Sequence, residues 1–149
     1  MPAAAISLRP ARDGDRDFVE RVYFETQRWL IEALFGWSDD ETERANFADS
    51  YDAANTQIIT VDNEDAGWLT VQRGRDLNLD SIYLAPQQQR RGVGTILIQR
   101  LIAEADRSGM LVRLSTAKIN PARQLYERLG FVVVDEGPYK VHMERRRRS

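Results

Sequence analysis

IYLAPQQQRRGVGTILIQRLI, residues 82–102, passes from strand to turn to helix within one short stretch. Ile82, Tyr83 and Leu84 read as the end of a strand, and Pro86 with its neighbouring glutamines breaks it. Gly92 and Gly94 then allow a tight turn, because neither carries a Cβ atom that would keep a ligand away from the backbone. From Gly94 onward Ile98, Leu101, Ile102 and Ala105 recur on one helical face, and Gly109 stands where a C-terminal cap is expected.

A helix that starts on such a turn offers unpaired N–H groups and the positive end of its dipole. Arg90 and Arg91 add positive charge beside it. The turn is therefore a candidate anion cradle, while a glycine-bearing loop with solvated arginines remains the plainer reading. It lacks the Gly-Lys-Ser/Thr of a Walker loop, and it lacks the third glycine and acidic partner of a dinucleotide fingerprint.

Upstream, Ile6 to Arg9 is a short extended segment, and Asp13 and Asp15 are candidate caps for a long helix marked by Phe18, Val22 and Thr26. A second, weakly apolar helix opens with Asp39, Asp40 and Glu41. Strands are expected at Thr56 to Val61 and Gly67 to Gln72, joined by a polar turn at Asp62 to Asp65, and again at Leu77 to Leu84. In the last of these the apolar phase changes between Leu79 and Ile82, which either a β-bulge or burial on both faces would explain.

Downstream, Leu111 to Ser115 reads as a strand, and Asn120 followed by Pro121 opens a helix with Leu125 and Leu129 as its core stripe. Phe131 to Val134 and Val141 to Met143 close the chain as strands. The order is β-α-α-β-β-β-α-β-α-β-β, a mixed α/β (α+β) domain without repeats.

At 149 residues, the chain is expected to form one domain over 1–149, with 145–149 a flexible basic tail. A content of 42% hydrophobic and 30% charged residues argues against disorder, and no apolar run is long enough to span a membrane. The N-terminus does not read as a secretory signal, so a cytoplasmic location is expected. There is no cysteine and a single histidine, His142, which rules out disulfides, thiolate nucleophiles and Cys/His metal sites; no metal is expected. Without the four arginines Arg145 to Arg148, a net charge of −2 becomes −6, so the body repels nucleic acid and the basic run is read as a solvated tail.

The 82–102 stretch resembles the strand, Q/R-x-x-G-x-G/A turn and helix of the GNAT superfamily of acetyl-CoA-dependent N-acetyltransferases. NPARQLYERLGF, residues 120–131, is similar to that family's later helix. Two motifs in the right order on the right elements are more specific than either alone.

The resemblance implies a GNAT-like mixed central sheet, splayed between its fourth and fifth strands. It implies acetyl-CoA as co-substrate, its pyrophosphate on Gln89, Arg90, Arg91, Gly92, Val93, Gly94 and Thr95, and its pantetheine along the edge of Ile82, Tyr83 and Leu84. Asn120 lies six residues before Tyr126, where many relatives place it seven before; capping is its first role and pantetheine contact a second.

Such enzymes work by direct attack of an amine on the thioester in a ternary complex, and the absence of cysteine agrees with that route. Tyr126 matches the family's tyrosine and is the candidate acid for the departing thiolate, set against a ring that merely packs in the core. No glutamate lies on Leu111 to Ser115, so Asp80 is taken as the base, against the alternative of an ordinary exposed carboxylate. His142 is read as a half-buried strand residue that satisfies a local hydrogen bond, with a catalytic role as the alternative.

An amine-bearing acceptor is expected, a cationic one if Asp39, Asp40 and Glu41 line its path beside a wall of Trp29, Phe35, Trp37 and Tyr51; residue by residue, core packing of the rings and capping by the acids are the plainer readings. Monomer and homodimer both stay open. The competing class is a non-catalytic acyl-CoA-binding regulatory module, against which Tyr126 argues.

Overall fold

The computed structural model describes residues 4–146. Its elements are β1 (Ile6–Pro10), α1 (Arg16–Leu34), α2 (Asp40–Ser50), β2 (Thr56–Val61), β3 (Glu64–Arg73), β4 (Leu77–Leu84), α3 (Val93–Ser108), β5 (Val112–Ala117), α4 (Ala122–Arg128), β6 (Val132–Glu136) and β7 (Lys140–Arg145), with short 3₁₀ turns between some of them. The order is the expected one. The strands hydrogen-bond in the order β1-β2-β3-β4-β5-β7-β6, with β4 and β5 parallel. Contacts divide the chain into two compact units: one runs to Thr70 and takes in Ser81–Arg91, and the other holds Val71–Asp80 and everything from Gly92 onward.

In the first unit, Val19 and Val22 of α1 and Phe47 of α2 are buried with Ile58, Trp68 and Ala85, because the apolar face of each helix has to leave water. Trp68 stays in this core without an unpaired donor: its Nε1 donates to the Val19 carbonyl at 3.0 Å. Asp62 and Asn63 both have positive φ, 51° and 70°, the geometry of a two-residue hairpin turn that matches strand twist. The turn is thus tighter than Asp62 to Asp65, and β3 begins at Glu64 rather than Gly67. Gly67 is required there, because a Cβ would strike the carbonyl oxygen of Tyr83.

Asp15 precedes α1 but makes no side-chain cap for it. Its carboxylate is engaged instead by both terminal nitrogens of Arg9, at 2.8 Å each, and by the Arg12 N–H at 2.8 Å. A fork-to-fork pair is stronger and more directional than a cap bond, which explains why the expected role is displaced.

In the second unit, α3 buries Val93, Leu97, Ile98, Leu101, Ile102 and Ala105, and Gly109 ends it at φ 68°. The Met110 N–H returns to the Ala105 carbonyl at 2.9 Å and closes the last turn. Arg73 grips Glu104 of α3 at 2.6 Å. Arg145 departs from the expected tail: it pairs with Val112 in the β5–β7 ladder and holds Asp106 at 2.9 Å. Two partners fix it, one on the backbone and one on the side chain. Arg147, Arg148 and Ser149 lie outside the described residues.

Hydrogen bonding to Arg9 pushes the Asp15 carboxyl from its ordinary 3.8 to about 2. A depressed pKa stabilises the fold above the ordinary value, and the contribution is lost as pH falls from near 4 through 2. Asp15→Asn should therefore lower stability at pH 7 by about 1 kcal/mol after solvent screening. In urea denaturation the gap between the two proteins should close as pH falls from 4 toward 2.

Candidate active site

The start of α3 has the geometry of an anion cradle. Arg90 and Gly92 take positive φ, 63° and 75°, which turns the chain sharply into the helix. Gly92 occupies the N-cap without offering a side-chain acceptor, and the first turn holds no acid. The N–H groups of Val93, Gly94 and Thr95 are therefore left for an external acceptor. Gln89 is committed locally, its Nε2 donating to the Leu84 carbonyl at 3.0 Å. Arg91 is held by the Gln88 side chain at 2.8 Å and approaches Asp62 at 3.9 Å.

On β4 the in–out alternation of Leu77 and Leu79 stops, and Ser81 to Leu84 are all half-buried. This is the pattern of burial on both faces that the phase change allows. The parallel ladder between β4 and β5 holds only the pairs Leu77↔Val112, Asn78↔Arg113 and Leu79↔Leu114. Both strands continue beyond their last pair.

Within the second unit a cavity of about 550 Å³ opens on one face of the sheet. β5 buries Val112, Leu114 and Thr116 and so turns Arg113 and Ser115 the other way. On β7 the same alternation buries Val141 and Met143 and leaves Lys140 and His142 exposed. Register then sets a transverse row: Ser115 faces His142, and His142 faces Asp135 of β6. Asp80, the residue after the last β4–β5 pair, lines the same cavity. Ser115 Oγ and His142 Nδ1 are 2.5 Å apart. Arg113 bridges Asp76 at 3.4 Å and Glu144 at 3.2 Å, so its charge is largely spent.

His142 does make the expected local hydrogen bond, but it stands exposed in a polar cavity that Asp80 also lines. Sequence reasoning assigned no role to Ser115 or Asp135. Their outward phase is visible in the alternation of each strand, but their alignment with His142 depends on long-range register.

Tyr126 is 9% exposed, and its ring meets Phe131 edge-on at 5.9 Å. Burial pushes its phenol above the ordinary value, which keeps it protonated and able to donate. The expected stripe is shifted by one position: Leu125 and Leu129 are only half-buried, and Tyr126 is the buried residue of α4. The helix is short, and the chain turns back at once so that the Phe131 N–H reaches the Tyr126 carbonyl at 3.0 Å. Asn120 caps α4 as expected, its Oδ1 accepting from the Ala122 N–H at 3.0 Å.

The aromatic wall is not assembled as expected. Tyr51 packs on Phe47 and Trp68 within the core, Trp37 lies under Arg28 at 4.1 Å, and Trp29 and Phe35 are exposed. Asp39 spends its carboxylate capping Thr42 at 2.7 Å, and Asp40 accepts from Trp37 at 3.0 Å.

A family model described as an acetyltransferase (GNAT) domain matches residues 52–133, more than half of the chain. The chain belongs to the GNAT acetyltransferase family. The match takes in β2 to α4 with both sequence motifs. Solved structures agree in fold. The PaiA N-acetyltransferase from Thermoplasma acidophilum, in complex with coenzyme A, superposes with a TM-score of 0.76 at 17% identity over 96% of this chain and 99% of its own. An acetyltransferase from Thermus thermophilus gives 0.72 at 20% identity over 99% and 100%. Ard1 from Thermoplasma volcanium gives 0.67 at 18% identity over 97% and 99%. No curated protein sequence matches the chain at a significant level.

For this GNAT chain the packing of Tyr126 separates ring from hydroxyl. Tyr126→Ala should cost about 3–5 kcal/mol through the cavity it leaves. Tyr126→Phe keeps the ring against Phe131 and should stay within about 1 kcal/mol of wild type in urea denaturation.

Proposed function

We propose that this protein transfers the acetyl group of acetyl-CoA to a primary amine by direct attack in a ternary complex. The observation that carries the reading is the uncapped start of α3, where free N–H groups follow a left-handed Gly92 and no acid competes for them. Such a start suits a pyrophosphate, because the donors are fixed before the ligand arrives. In this reading Gln89 to Thr95 form the phosphate turn, the Ile82 to Leu84 edge pairs with the pantetheine, and Asn120 lies along its path.

The acceptor amine is assigned to the cavity on the β5–β7 face. Three acids, Asp80, Asp135 and Glu144, outnumber Arg113 and Lys140 there, which favours an ammonium over an anionic substrate. Asp80, expected from the sequence as the base, is here the carboxylate that holds the ammonium, its Oδ2 also accepting from Gln72 Nε2 at 2.8 Å. After the ammonium loses a proton, the amine nitrogen bonds to the carbonyl carbon and the C–S bond breaks. Tyr126 gives its proton to the thiolate, and the tyrosinate recovers the amine's second proton. One net proton leaves to water.

Thr95→Glu places a carboxylate in the first turn of α3. That charge suits the helix dipole and should leave stability unharmed. It should raise the acetyl-CoA Kd at least roughly tenfold, a loss of about 1.4 kcal/mol, in isothermal titration. Unaltered affinity would move the pyrophosphate elsewhere.

An acceptor screen over amines, amino acids and peptides, read by CoA release, tests the reaction itself. With an acceptor in hand, Tyr126→Phe should lower kcat about a hundredfold while the acetyl-CoA Kd holds. Binding of acetyl-CoA without CoA release from any amine would make the protein an acyl-CoA-binding module instead.

A further inference from the structure

The cavity assigned to the acceptor contains the only histidine of the chain. Its surroundings restrict what that imidazole can do. β5 and β7 set Ser115 and His142 directly opposite each other, and the 2.5 Å contact commits Nδ1 to the serine hydroxyl. The nitrogen left to meet a ligand is Nε2.

The charged groups that share the cavity come from every strand of this face: Asp80 of β4, Arg113 of β5, Asp135 of β6, and Lys140 and Glu144 of β7. Arg113 and Glu144 answer each other at 3.2 Å. Asp135, opposite His142 in register, accepts from the Glu136 N–H at 2.9 Å. The ring has Asp135 as its register partner and shares its cavity with Asp80, so a positive charge gained there faces acids on the same surface. An imidazole is also better matched than an exposed carboxylate to taking a proton from an ammonium near neutral pH.

We propose that His142, held through Nδ1 by Ser115, takes the first proton of the acceptor's ammonium at Nε2, while Asp80 holds the ammonium in place. The inference rests on the acetyl-transfer reading of the same site. The N–H bond of the ammonium breaks, its proton goes to the Nε2 lone pair, and the imidazolium passes it to water through the open cavity. The freed nitrogen lone pair then forms the C–N bond. For Nε2 to carry a lone pair, the resting proton must sit on Nδ1 and be donated to Ser115 Oγ. Ser115 is therefore a positioning residue that holds the ring by Nδ1 and accepts its proton in this tautomer.

With one imidazole in the chain, ¹⁵N-correlated NMR reads that tautomer without ambiguity. Wild type should show the Nδ1–H form, and Ser115→Ala should shift the ring toward Nε2–H, with Ser115→Thr restoring it. In kinetics with an accepted amine, the wild-type rate should rise with pH through an imidazole limb. His142→Gln should lose that limb and about a hundredfold or more of kcat at unchanged acetyl-CoA affinity. Asp80→Asn should raise the acceptor KM and keep the limb. An Nε2–H tautomer in wild type, or a limb that survives in His142→Gln, overturns the role of His142 while acetyl transfer stands. A wild-type protein that binds acetyl-CoA and acetylates no amine overturns the transfer reading, and this inference with it.

Discussion

β5 cannot slip along its neighbours. Val112, Leu114 and Thr116 are buried on one side, so a shift by one residue would put Arg113 and Ser115 into the core and three apolar or half-apolar groups into water. Its pairing with β7 holds six residues in antiparallel register, while its pairing with β4 holds three in parallel. That register aligns Ser115, His142 and Asp135 across the open face. A candidate proton path thus depends on the hydrophobic side of a strand that carries none of the chemistry.

The same division of labour holds at α3. Six residues on its apolar face anchor the helix, and that burial fixes where its first-turn amides stand. Gly92 contributes by what it lacks: a capping side chain would satisfy one of the amides, and a β-carbon would strain a φ of 75°. In the first unit, Arg9 and Asp15 tie the strand before α1 to the start of that helix, and the aromatic cluster around Phe47 and Trp68 holds α1 and α2 on their strands. Tyr51 belongs to that cluster. From the sequence its ring suits either a substrate wall or the core, and packing on Phe47 and Trp68 gives it the second role.

Local signals in this chain are legible where one segment contains its own reason. The Gly92 turn, the stripe of α3, the stop at Gly109 and the Asn120 cap each depend on neighbours in sequence, and each stands where periodicity puts it. Arg145 is misread because a run of arginines carries no apolar pattern, while its strand pairing with Val112 and its bond to Asp106 come from distant chain. The α4 stripe is misread by one position because a helix so short presents too little periodicity to choose between Leu125 and Tyr126.

By itself the sequence determined the element order, the family and the glycine turn that starts α3, since all three are written in contiguous residues. Tertiary structure alone decided which polar residues share the cavity. Ser115, His142 and Asp135 come from three strands, and Asp80 from a fourth. Strand register is set by long-range burial and backbone hydrogen bonding, and no local run of residues records it.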